Sequence, residues 1–148
     1  MPATLNTAPY SLAEMMRRTP RNIQSNADDT RISKAKKIID KDTGQPVVLS
    51  VIYATHDANG NPVREKREHR CYIMGLEGPS KPINESKAKL SCDCEWFMYV
   101  CEYALSRKGN ADIIFSNGKP ARVTNPNNRP QLCKHLFHLA ETLIQRGM

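Results

Sequence analysis

The apolar run Val47-Val48-Leu49-Ser50-Val51-Ile52-Tyr53-Ala54 is rich in β-branched residues and predicts a strand. Asp57-Ala58-Asn59-Gly60 follows, and its Asn-Gly pair favours a tight hairpin turn. From Val63 to Met74 side chains alternate, with Val63, Glu65, Arg67, His69, Cys71 and Ile73 on one side and Arg64, Lys66, Glu68, Arg70, Tyr72 and Met74 on the other. Only the final third of that strand is apolar enough to be buried. Residues 75–82 read as a loop, Ser86 to Ser91 as a short strand, and Ala111 to Phe115 as another that ends at the turn Asn117-Gly118.

Helical spacing appears in three other places. Trp96, Val100, Tyr103 and Ala104 predict a helix that starts near Cys92–Phe97 and stops at Gly109. The best-patterned helix begins at Cys133-Lys134-His135, after an irregular Asn- and Pro-rich connection from Pro120 to Pro130. Its stripe is Leu132, Leu136, Leu139, Ala140, Leu143 and Ile144, and Gly147 ends it. Near the N-terminus, Tyr10 precedes Ser11-Leu12-Ala13-Glu14, which reads as a capping box, and Pro20 ends the helix it opens. Ile32 to Ile39 reads as a basic helical run with too few apolar positions to form a core alone. The expected organisation is therefore a polar, partly helical docking arm over residues 1–46, mobile unless a partner holds it. An α+β domain would follow over 47–148, a β-hairpin plus helices around a ββα core at about 72–144.

The chain has 148 residues, 39% of them hydrophobic and 25% charged, which suits one soluble domain with extensions and leaves no room for two enzyme domains. No stretch approaches the roughly 20 apolar residues of a spanning helix, and the first thirty residues lack a signal peptide's apolar run. An intracellular location with no membrane partner is the expectation. The net charge of +7 permits nucleic acid or acidic protein as a partner. The cations are spread evenly along the chain, whereas dedicated DNA-binding modules concentrate them. The candidate contacts are Arg64, Lys66, Arg67 and Arg70 on the hairpin and Arg17, Arg18 and Arg21 on the arm, diluted by Glu65, Glu68 and Asp28.

Five cysteines, Cys71, Cys92, Cys94, Cys101 and Cys133, argue against a disulfide framework, because an odd count leaves one thiol over. Metal binding is the stronger reading. Zinc takes four N or S donors, and a C-x-C pair at a strand end with a C-x-H pair opening a helix supplies Cys92, Cys94, Cys133 and His135. The positive end of the helix dipole would face the thiolates and lower their pKa. The bland alternative is four buried residues that merely pack. Cys101 and His138 are rival fourth ligands, and Cys71 reads as strand packing.

Cys92-Asp93-Cys94, Trp96 and then Cys133-Lys134-His135-Leu136 resemble the SWIM-type zinc finger, C-x-C, a variable spacer, C-x-H. The resemblance covers about Tyr72 to Ile144 and implies a ββα arrangement with the four motif residues as zinc ligands, bound to DNA or protein without catalysis. The spacer, Glu95 to Leu132, is longer than usual, and loop-closure entropy grows slowly enough to allow this. The chain also resembles small proteins of tailed bacteriophages that carry such fingers.

No Gly-rich phosphate loop, G-x-S-x-G elbow or H-E-x-x-H pair is present, so an enzyme is the least favoured class. The expected function is a zinc-stabilised structural or adaptor component of a larger assembly such as a phage virion, held by protein partners. The alternative is a DNA- or RNA-binding finger.

Overall fold

The structure is a computed structural model and describes residues 9–57, 59–119, 121 and 123–148. Its architecture is α+β. Four antiparallel strands, β1 (Thr30–Ile39), β2 (Pro46–Ala54), β3 (Glu68–Gly75) and β4 (Ala88–Cys92), form one sheet in the order β1-β2-β3-β4. Helices α1 (Leu12–Arg18) and α2 (Arg21–Asn26) precede the sheet, and α3 (Glu102–Ser106) and α4 (Lys134–Gln145) follow it. Among the described residues, no helix is long and apolar enough to cross a membrane.

Alternation gives the sheet two different faces. Val48, Ser50, Ile52, Cys71, Ile73, Ala88, Leu90 and Cys92 point into the core. On the opposite face Lys36 pairs with Leu49, Leu49 with Tyr72, and Tyr72 with Ser91. Helix α4 lies on the core side of all four strands, with Leu136, Leu139, Ala140 and Leu143 buried at helical spacing. Ile144, expected in this stripe, is about half exposed at 51% because it falls beyond the width of the buried face.

Three other expectations are corrected. Ile32 to Ile39 is strand β1, not a helix. Its Ile residues at 32, 38 and 39 suit a strand, and β2 satisfies its backbone from Thr30↔Ala54 to Ile39↔Pro46. The connecting turn is built by Asp40, whose Oδ2 accepts hydrogen bonds from the N–H (3.1 Å) and hydroxyl (2.7 Å) of Thr43, and by Gly44 at φ 74°. Strand β3 starts at Glu68 instead of Val63, so the charged stretch before it is an exposed connection. Ala111 to Phe115 forms no strand. The amides of Ile114, Phe115 and Ser116 donate instead to the carboxylate of fully buried Glu102, at 3.0, 3.0 and 2.8 Å to Oε1.

The segment expected as a mobile arm belongs, from Pro9 onward, to the common core; Met1 to Ala8 lie outside the described residues. Half of the expected capping box forms: Ser11 Oγ accepts the Glu14 N–H at 3.2 Å, and Glu14 Oε1 takes the Ser11 hydroxyl at 3.4 Å in place of its backbone N–H. Leu12 and Met15, one turn apart, are fully buried against the 3-10 turn Ile83–Glu85 and α4. Thr19 Oγ1 accepts the N–H of Leu132 at 2.9 Å, tying the end of α1 to the approach of α4. Burial at two positions, the Ser11 cap and the bonds to Ser86 and Leu132 together hold a helix of only seven residues.

This placement predicts that Leu12→Ala lowers folding stability by about 2–5 kcal/mol, the range for emptying a packed leucine site. Urea unfolding measures it, and an unchanged midpoint would return the segment to the status of a free arm.

Candidate metal centre

Cys92 is the last residue of β4, and its side chain follows the inward face of the sheet. The chain then turns through Asp93 and Cys94 into a π-helical turn, Phe97–Cys101, that runs into α3. The extra residue in that turn shifts the expected stripe, so that Phe97, Val100, Cys101, Ala104 and Leu105 are buried and Trp96 is 42% exposed. On the other side, Cys133 is the N-cap of α4. Its carbonyl accepts the N–H of Phe137 at 2.9 Å, while its sulfur makes no capping hydrogen bond. His135 stands one residue inside the helix.

These elements bring Cys92, Cys94, Cys133 and His135 together: one ligand atom of each lies within 4.8 Å of all the others, and all four residues are buried. The Nδ1 of His135 is 3.8 Å from Cys92 Sγ, and its Nε2 is buried with no hydrogen-bond partner. An orphaned imidazole nitrogen beside three thiols is costly unless something accepts its lone pair or its proton. The donor set thus fits a soft or borderline cation. The rivals stand elsewhere. Cys101 is in the core outside the four-atom cluster, and His138 Nδ1 is 2.6 Å from Thr30 Oγ1.

Electrostatics agree with the geometry. Hydrogen bonds from Cys133 and Cys92, with His135 beside them, push Cys94 far below the usual thiol range. Cys94 Sγ also accepts the N–H of Phe97 at 3.4 Å. Burial pushes Cys92 and Cys133 well above that range. The three crowded sulfurs are thus pushed in opposite directions, and a divalent cation in their midst would favour ionising all of them. The positive end of the α4 dipole acts in the same direction.

Around the cluster lie residues that spacing alone did not single out. Cys71, directly opposite Cys92 in register, places its Sγ 3.1 Å from the Cys92 sulfur. The His69 ring is 4.7 Å from that of His135, and its Nδ1 is 2.9 Å from Asp93 Oδ1. Asp93 Oδ1 also accepts the Arg70 N–H at 3.2 Å, so the residue between the two cysteines latches the knuckle onto β3. All five cysteines are free thiols.

The seven candidate basic residues do not form one surface. Arg64, Lys66 and Arg67 are exposed on the connection before β3, with Lys66 Nζ 4.4 Å from the centre of the Tyr53 ring. Arg70 faces outward from β3 into a groove of about 590 Å³ with Lys34, Lys36, Leu49 and Tyr72. Arg17, Arg18 and Arg21 line a separate cleft with Arg129, a cation that no local sequence signal joins to them.

No protein-family model matches the chain, and searches of curated proteins and of solved structures likewise find no match.

Cobalt(II) reports the donor set directly, because thiolate coordination gives it intense visible absorption. Wild-type protein is expected to show thiolate-to-cobalt bands that Cys94→Ser and Cys133→Ser abolish or weaken and Cys101→Ser leaves intact. Unchanged spectra in the first two variants would remove both residues from the ligand set.

Proposed function

We propose that the chain is a non-enzymatic binding protein stabilised by a structural zinc ion, of the kind the SWIM-type spacing suggests. The carrying observation is the buried cluster of three cysteines and one histidine, with its orphaned ring nitrogen. Zinc suits thiolate and imidazole donors better than hard cations do, and three Cys with one His complete its usual set of four. A closed set leaves no position for substrate. Cys92 and Cys94 would hold the ion from the end of β4, and Cys133 and His135 from the start of α4. The ion would supply a cross-link between sheet and helix, worth about 10–16 kcal/mol in small zinc modules.

Two readings of the partner follow from different surfaces. Service as an adaptor in a larger assembly, such as a phage virion, is supported by a groove of about 1010 Å³ lined by Met98, Tyr99, Tyr103, Phe115 and Val123. Tyr99 is 62% and Val123 92% exposed, the sort of apolar display that marks protein contacts. Nucleic-acid binding is the second reading, favoured by the arginine cleft at the junction of α1 and α2.

Removal of the metal tests the structural role. Elemental analysis is expected to find one zinc per chain, and a strong chelator should abolish the cooperative thermal transition followed by circular dichroism. A chelated, metal-free protein that melts as the wild type does would end this reading.

A further inference from the structure

The cleft between the α1–α2 junction and residues 127–130 has a volume of about 600 Å³. Arg17, Arg18, Arg21 and Arg129 line it with Tyr10, Asn127 and Asn128, and among the described residues no carboxylate side chain lines it. Among the described residues, none of these four arginines forms an ion pair. Four like charges facing a common space raise one another's energy, and an anion relieves this.

The two walls are held at a fixed separation. Thr19, between Arg18 and Arg21 in sequence, takes the N–H of Leu132 through its buried hydroxyl at 2.9 Å. On the far wall, buried Asn125 binds the backbone of Arg129 twice, accepting its N–H at 2.9 Å and donating to its carbonyl at 2.9 Å. The same Asn125 amide donates to Val100 O at 2.9 Å, so the loop is pinned to the π-helical turn. Arg18 lies with its guanidinium carbon 5.1 Å from the centre of the Tyr10 ring, a cation–π contact that orients the fork.

Every cation here is an arginine, whose planar fork pairs with phosphate oxygens through two parallel hydrogen bonds. The one aromatic ring in the cleft, Tyr10, is already engaged by Arg18, and the exposed apolar side chains lie instead in the groove of Tyr99 and Val123. Asn127 and Asn128 add amide groups able to reach sugar or base edges. We propose that this arginine cleft binds the sugar-phosphate backbone of a nucleic acid. The inference rests on the reading of the chain as a zinc-stabilised binding protein and names its partner at a second site.

The test uses the full zinc-loaded chain and a fluorescently labelled oligonucleotide, single-stranded and as a duplex, in anisotropy titrations across a salt series. Zinc content and circular dichroism are recorded on the same samples. Wild-type protein is expected to bind at physiological salt, with affinity falling linearly in log salt. Replacing both Arg18 and Arg129 with Ala should cost about tenfold or more in affinity and reduce the salt slope by about two, one per lost phosphate contact. The pair Arg18→Lys and Arg129→Lys should keep the slope and lose part of the affinity, because charge survives and the fork does not. Arg64→Ala with Arg67→Ala should change little.

Folded, zinc-containing wild-type protein that fails to bind either form overturns the cleft and spares the zinc reading. So does a double Ala variant equal to wild type in both affinity and slope, or preference for poly-glutamate over the oligonucleotide, which would assign the arginines to an acidic protein. Folded protein without zinc overturns the structural-zinc reading whatever the titration shows.

Discussion

Three thiols and an imidazole are crowded into one buried cluster that could hold a metal ion, within 4.8 Å of one another. Burial pushes the Cys92 and Cys133 thiols up, while their hydrogen bonds push Cys94 down. The sheet and α4 meet at this point, since Cys92 ends β4 and Cys133 caps the helix. A metal held there would fix the helix against the sheet in a chain whose small size limits its apolar core.

The long segment between the two ligand pairs serves that same closure. A free loop of this length would add modestly to the entropic cost of joining Cys94 to Cys133. It is not free. Glu102 gathers the amides of residues 114–116, and Asn125 gathers Val100 and Arg129. Each uses one buried polar side chain to satisfy several backbone groups, which is how an irregular segment tolerates contact with a core. The anchored loop then separates two surfaces of opposite chemistry, with Ala121, Val123 and Thr124 on an apolar groove and Asn127 to Pro130 on the arginine cleft.

What was legible came from strong local signals. The C-x-C and C-x-H pairs named the four residues that the fold gathers, because such donors at element boundaries have few other uses. The run from Val47, the final helix and the N-cap at Ser11 were readable from periodicity and capping chemistry. Strand β1 was missed because Ser33-Lys34-Ala35-Lys36-Lys37 has no local preference strong enough to outvote a helical reading, and its pairing with β2 decided the matter. The Asp40 to Gly44 turn was the available clue.

The sequence by itself determined the α+β class, the four clustered Cys and His residues, the capped first helix and the patterned last one, since these depend on side-chain chemistry and on neighbours a few residues apart. Only the tertiary structure decided that Leu12 and Met15 are core, that Glu102 organises a loop twelve residues away, and that Arg129 joins Arg17, Arg18 and Arg21. The physical reason is common to all three. Burial and charge clustering depend on which segments meet in space, and hydrophobic and Coulombic forces act on distance and solvent exclusion, to which separation along the chain gives no key.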